Sequence, residues 1–291
     1  MIDLVISQRH HCQIPEVISL DKKTFEVGEH IASGGNSQVY ECIDTNSDEI
    51  CAIKFHTKLN KKRLGRFERE QHIHSIINHE HIVRYIAHGE VKGNLYKHRK
   101  SEGEKGIPFV VMDRCDLTLQ ELLQTPAGKV PYHDYIAQFR GLTQALGLLH
   151  KHAIHRDIKP TNILIKNGVW KLSDFGLCSY TNASKQEGLT EINEKIGPMN
   201  WMSPESNTIF SGFESQITTQ SDVFQLASIF WLVVNHRHPT GVLTESDWAG
   251  PKNLYLPIIR SLQHDKERRY ENGEAFHSSL IQAIEHTHHI S

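Results

Sequence analysis

At 291 residues the chain has room for one or two domains and a substantial buried core. A formal net charge of −2 gives no footing for a nucleic-acid or polyanion partner. Five scattered cysteines, Cys12, Cys42, Cys51, Cys115 and Cys178, contain no Cys-x-x-Cys pair, which argues against a disulfide framework or zinc ribbon and fits a reducing compartment. The first residues are wrongly flanked for a secretory leader, and the longest apolar run, Leu226 to Val234, is about half a membrane span and is broken by Ser228. A soluble, cytoplasmic protein is expected. The 21 histidines include His72, His74, His79 and His81 but no His-Glu-x-x-His, so they are expected to be surface or packing groups rather than metal ligands.

Residues 1–22 carry no clear period and are expected to be an N-terminal arm, or a strand packing on the β-rich segment after it. From Thr24 the pattern turns β-like. Two strands flank the turn Ala32-Ser-Gly-Gly-Asn-Ser37, whose glycines bring bare backbone N–H groups within reach of phosphate. The next strand, Ile50 to Phe55, sets Lys54 among apolar residues. Phe67, Glu70, Ile73, His74 and Ile77 recur at three- and four-residue intervals, predicting one face of a helix that carries Glu70 inward and Glu68 outward. Residues 82–90 and 107–113 read as strands, and the charged stretch 91–106 between them reads as a mobile loop with a possible docking role. Phe109-Val-Val-Met112 is a strand running into a turn at Asp113-Arg-Cys115. A helical period comes next, from Leu117 to Leu123 and again from Tyr135 to His152.

The stretch His155 to Gly176 holds the densest chemistry. Asp157, Lys159 and Asn162 share one eight-residue loop, and Asp174 lies twelve residues after Asn162. Ile163-Leu-Ile165 and Val169-Trp-Lys-Leu172 flank Asn167-Gly168, which predicts a hairpin that folds back and sets Asp174 beside Asp157 and Asn162. Two carboxylates, an amide and an amine at one point suit a divalent cation, phosphates and acceptance of a hydroxyl proton. Residues 177–203 have few apolar anchors and read as a flexible loop. In the C-terminal third, Ser221-Asp222 reads as a helix N-cap with a first-turn acid.

His-Arg-Asp157-Ile-Lys159-Pro-Thr-Asn162 and Asp174-Phe-Gly resemble the catalytic and metal-binding loops of the eukaryotic-type protein kinases, in the serine/threonine branch. The likeness runs over roughly residues 25–285. It implies an α+β, bilobal fold: an N-terminal arm (1–22), a kinase domain (23–285) with a small antiparallel β lobe bearing one helix (23–112), a hinge (113–116) and a mainly helical large lobe (117–285), then a tail (286–291). It implies ATP with Mg²⁺ (or Mn²⁺), a protein substrate and transfer of the γ-phosphoryl group to Ser/Thr hydroxyls. By the same likeness, Ala32, Gly34 and Ser37 hold the glycine-rich loop positions before Val39, so only the middle glycine is kept. Lys54, braced by Glu70, contacts the phosphates. Met112 is the gatekeeper, and Asp113 to Cys115 bind adenine through their backbone. Asp157 is the catalytic aspartate that accepts or orients the substrate hydroxyl, Lys159 steadies the γ-phosphate, and Asn162 and Asp174 hold the metal. Arg156 partners a phosphate on the 177–203 loop, with Thr190 the favoured site. Asp222 holds the catalytic loop, and Glu205 of Ser203-Pro-Glu pairs with Arg269. Gly197-Pro198 stands where Ser/Thr kinases commonly have Gly-Thr, a proline more like that of tyrosine kinases, so a tyrosine or dual-specificity kinase is the alternative, with a pseudokinase scaffold as another.

Overall fold

The computed structural model describes residues 1–58, 60–98, 100–125, 129–181 and 199–288. The chain divides into two compact units, Met1–Asn78 with Arg84–Cys115, and His79–Val83 with Asp116–Ser291.

The first unit is an eight-stranded antiparallel sheet plus one helix. The strands are β1 (Ile2–Ser7), β2 (His10–Ile14), β3 (Val17–Leu20), β4 (Lys23–Ser33), β5 (Ser37–Asp44), β6 (Glu49–His56), β7 (Tyr85–Lys97) and β8 (Lys100–Asp113), in the spatial order β1-β2-β7-β8-β6-β5-β4-β3. Helix α1 (Lys61–Ile76) is capped by the Asn60 side chain, which accepts from the Arg63 N–H. It buries Phe67, Glu70, Ile73 and His74 and leaves Glu68 exposed, as the periodicity predicts. The sheet closes over Leu4, Cys12, Ile14, Phe25, Phe55, Phe109 and Val111.

Two expectations are corrected by the sheet. Of the two expectations for residues 1–22, the strand holds rather than the arm: they form three strands of the sheet, with Leu4, Cys12 and Ile14 fully buried in its core. The stretch 91–106 is not a loop but the continuation of β7 and β8, which run as a hairpin to Lys97 and Lys100. Val91 and Gly93 turn inward there while Lys92 and Asn94 turn out, a period of two that the charges obscure. Strand β2 then pairs along β7, Cys12 opposite Leu95. Gly93 permits that approach, since a Cβ there would lie 2.6 Å from Cys12 Sγ.

The second unit is mainly helical. Leu117–Thr118 forms a short strand β9 rather than the first turn of a helix, because it pairs with a later strand through Leu164 and Ile165. Helix α2 (Leu119–Gln124) starts one residue later, on a capping box between Thr118 and Glu121. Helix α3 (Tyr132–His150), strand β10 (Ala153–Ile154), hairpin strands β11 (Ile163–Lys166) and β12 (Val169–Leu172), and strand β13 (Ser179–Tyr180) come next. They lead into α4 (Pro204–Phe210), α5 (Thr219–Asn235), α6 (Lys252–Ser261) and α7 (Gly273–His288). Phe139 of α3 stacks on Phe230 of α5 at 3.7 Å between centroids, and Phe276 of α7 packs behind it. The cap of α5 is Thr218, not Ser221; Ser221 sits three residues in and accepts the Thr218 N–H through Oγ at 3.0 Å. Asp222 stays in the first turn and is wholly buried.

Buried histidines do structural work in this unit. His81 packs against Gly141 of α3, and its Nδ1 bonds the Trp170 carbonyl at 2.8 Å. A Cβ on Gly141 would lie 1.9 Å from His81 Nε2. Gly141→Ala is therefore expected to destabilise the protein by about 1–3 kcal/mol, the usual cost of overpacking, measured by chemical denaturation.

Candidate active site

In the first unit the turn after β4 is closed by a backbone bond from the Gly34 N–H to the Ser37 carbonyl at 2.8 Å. Ala32 and Val39 face each other across the two strands, and Val39 is in register with Lys54. Gly34 is exposed, while Ser37 and Val39 are half-buried. Lys54 Nζ donates to Glu70 Oε1 at 2.7 Å in a buried pair. Burial pushes the Glu70 carboxyl up, but the Lys54 ammonium and His56 outweigh it and hold the carboxyl well below the ordinary glutamate range. His56 was not among the sequence candidates. It lies two residues after Lys54 on the same strand, packs its tilted ring against Phe67 of α1 at 4.0 Å between centroids and sets Nε2 3.5 Å from Glu70 Oε2. The two-residue strand period was the available signal. Met112 and Asp113 end β8, opposite Ala52 and Cys51 of β6. Asp113 and Cys115 are buried, Met112 half-buried, and the Asp113 N–H donates to the Arg84 carbonyl.

In the second unit the loop from His155 to Asn162 is fixed by one buried carboxylate. Asp222 Oδ2 accepts the His155 N–H at 2.6 Å and Oδ1 the Arg156 N–H at 2.8 Å, while His150 Nε2 lies 3.0 Å from Oδ2. Arg156 has φ 73°, a left-handed conformation costing on the order of 1–3 kcal/mol. The two bonds to Asp222 hold it there. Gln225, one turn further along α5, accepts the Ile158 N–H and donates to the Trp201 carbonyl. No motif singled out Gln225, because a glutamine in an apolar helix carries no spacing signal.

Asp157 is buried, and its Oδ2 accepts from Lys159 Nζ at 2.7 Å and from Asn162 Nδ2 at 2.9 Å. Its Oδ1 is buried without a hydrogen-bond partner among the described residues. Burial raises the Asp157 carboxyl above its ordinary range, Lys159 and His155 oppose this, and the nearby Asp174 charge adds to it. The Asn162 amide nitrogen is spent on Asp157, which leaves its oxygen as the atom for a cation.

The predicted hairpin forms as read. Asn167 (φ 51°) and Gly168 (φ 79°) make a two-residue turn, and Ile163 pairs with Leu172. It returns Ser173 to Asn162, whose carbonyl accepts both the Ser173 N–H and Oγ–H. His155 Nε2 lies 3.1 Å from the Ser173 carbonyl. Asp174 is next in the chain, exposed, at φ 61°. One carboxylate and one amide oxygen suit a small hard cation that takes its remaining ligands from phosphate and water.

Glu205, at the start of α4, meets Arg269 in a two-pronged ion pair with both N–O distances 2.9 Å. The other Arg269 bonds go to the carbonyls of Gln220, Gln263 and His264. Burial raises the Glu205 carboxyl, and Arg269 more than reverses this. Thr190 and Pro198 lie outside the described residues.

A family model described as Protein kinase domain matches residues 25–289, and the chain belongs to that family. Its α+β architecture is the kinase fold, and its members use ATP with a divalent metal ion. The chain is 25% identical over 280 residues to the probable serine/threonine-protein kinase PknB of Bifidobacterium longum, covering 88% of this chain and 39% of that protein. It is 28% identical over 285 residues to the serine/threonine-protein kinase PknB of Mycolicibacterium smegmatis, covering 90% and 43%. It is also 27% identical over 230 residues to the dual specificity protein kinase Ttk of Danio rerio, covering 77% and 22%. The chain thus spans about two fifths of the length of the two bacterial relatives. Among the described residues no helix is long and apolar enough to cross a membrane.

Removing Arg269 leaves a buried carboxylate without its counter-ion, so Arg269→Ala is expected to cost about 3–5 kcal/mol, read from urea unfolding. Because the Glu70 and Glu205 carboxyls are depressed, their stabilisation is complete above the ordinary glutamate value near pH 4.3 and fades as the pH drops below it. Glu205→Gln should lower stability at pH 7 and flatten the acid limb of a stability–pH profile.

Proposed function

We propose that the chain is an ATP-dependent protein kinase acting on Ser/Thr hydroxyls. The observation that carries this reading is the division of labour at Asp157. One carboxylate oxygen is occupied by Lys159 and Asn162, and the other is buried with no partner among the described residues. A single accepting oxygen, held at a fixed angle, is what orientation of a substrate hydroxyl requires. When bound, ATP brings the phosphoryl group and its divalent ion, Mg²⁺ in this reading, neutralises charge on the phosphates. Asn162 Oδ1 and the Asp174 carboxylate would hold that ion. Lys54, aimed by its bond to Glu70, orients phosphate oxygens. Lys159, partly exposed, sits where an ammonium steadies both Asp157 and the transferred group. Asp157, Lys159 and Asn162 are thus the catalytic set, while Ala32, Gly34, Ser37, Val39, Lys54, Glu70, Met112, Asp113 and Cys115 are the nucleotide-binding set. Glu205, Asp222 and Arg269 hold the frame.

Lys159 favours Ser/Thr specificity, and the names of the bacterial relatives agree with it. Control is assigned to phosphorylation within 177–203, with Thr190 the favoured acceptor and Arg156 its partner. Incubation with labelled ATP and a generic protein substrate is expected to yield phosphoserine and phosphothreonine. Asp157→Asn should lower kcat by about 10²–10⁴ while keeping a cooperative unfolding transition. Full turnover in that variant would overturn the assignment of Asp157. Phosphotyrosine alone would move the chain to the alternative that Pro198 suggests. Mass spectrometry of active protein showing no phosphate between 177 and 203 would remove the proposed control.

A further inference from the structure

The strand β1 is one of the two edge strands of the eight, yet it touches β5 from across the sheet. Between them in the sheet lie β2, β7, β8 and β6, so this contact requires the sheet to curl back on itself. The contact is made by Gln38. Its Nε2 donates to the Val5 carbonyl at 2.7 Å, and its Oε1 accepts the Val5 N–H at 3.4 Å. The Tyr40 hydroxyl donates to the same Oε1 at 3.3 Å, and Gln38 is 7% exposed. A side-chain amide thereby does for the edge strand what a neighbouring backbone would do, satisfying both polar groups of one residue.

Gln38 also lies one residue after the turn that carries Gly34, and one before Val39. On β5, Gln38 and Tyr40 are buried while Ser37 and Val39 are half-buried, so the amide grips the root of the turn from behind. Asn36, inside the turn, accepts the Thr57 N–H through its carbonyl, so the turn is anchored on the β6 side as well.

We propose that Gln38 is a positioning residue for ATP binding, and that the β1–β2 hairpin is its support. The hairpin holds the root of the phosphate-facing turn in the geometry that receives nucleotide. The inference rests on the reading of residues 32–39 as the nucleotide loop. If the root loosens, the competent loop is only partly populated, and apparent affinity falls in proportion.

The test uses the full chain with Gln38→Met, which keeps length and volume but removes all three amide hydrogen bonds, and Gln38→Glu, which sets a carboxylate against the Val5 carbonyl. Both should raise the Kd for Mg²⁺–ATP, titrated directly, by about tenfold, as expected for losing buried bonds. KM for ATP should rise in parallel, with kcat within about twofold. Amide exchange at residues 34–37 of the nucleotide-free protein should speed up while exchange in α5 stays the same. An unchanged Kd together with a lowered Tm would show Gln38 to be a packing residue only, and would overturn the proposal. Equal losses in kcat and in protein-substrate KM would overturn it too. Wild-type protein that fails to bind ATP would instead defeat the underlying reading, so the two failures are distinguishable.

Discussion

The second unit depends on one carboxylate that never touches solvent. Asp222 sits at zero exposure and takes the backbone N–H groups of His155 and Arg156, with the His150 imidazole alongside. A lone buried carboxylate is costly, and three charge-assisted bonds offset that cost. In return Arg156 can occupy a left-handed conformation, and that reversal of the chain turns the adjacent Asp157 toward Lys159 and Asn162. The geometry of this loop is thus set from behind by a helix, and helix α5 can bear the load because its apolar flank is packed against α3 and α7.

The first unit reaches comparable rigidity by a different route. Its polar pair, Lys54 with Glu70, bridges a strand and a helix and is buried. His56 and Phe67 form an aromatic contact at the same junction, so the helix is held by dispersion as well as charge. The sheet behind it is larger than the segment 23–112 alone would provide, since β1–β3 add core residues such as Leu4, Ile14 and Ile18.

Much of the site was legible in the sequence because each signal was local. The face of α1, the Asn167-Gly168 turn and the loop spacing all derive from periods of 3.6 and 2 or from residues that tolerate positive φ. The features that escaped were non-local. Within residues 1–22, β1 pairs with β2 and β3 with β4, but β2 is completed on its other side by β7, roughly eighty residues away. The charges on β7 and β8 mask an alternation that only becomes visible once the partner strand is known. Likewise the cap of α5 fell on Thr218 because a Thr-x-x-Ser box competes with a serine beside an acid, and tertiary burial of Asp222 decided between them. Gln225 and Gln38 act through amides bonded to backbone more than thirty residues distant, a relation that spacing cannot encode.

The hairpin of β11 and β12 also acts as a ruler. Its two-residue turn is the shortest connection that antiparallel strands accept, so the chain between Asn162 and Asp174 has no slack. Adding or deleting one residue in either strand would reverse the facing of every side chain beyond it and swing Asp174 away from Asn162. The interval between these residues is therefore a structural constant, whereas the β7–β8 hairpin can lengthen at its tip without disturbing the core it supports.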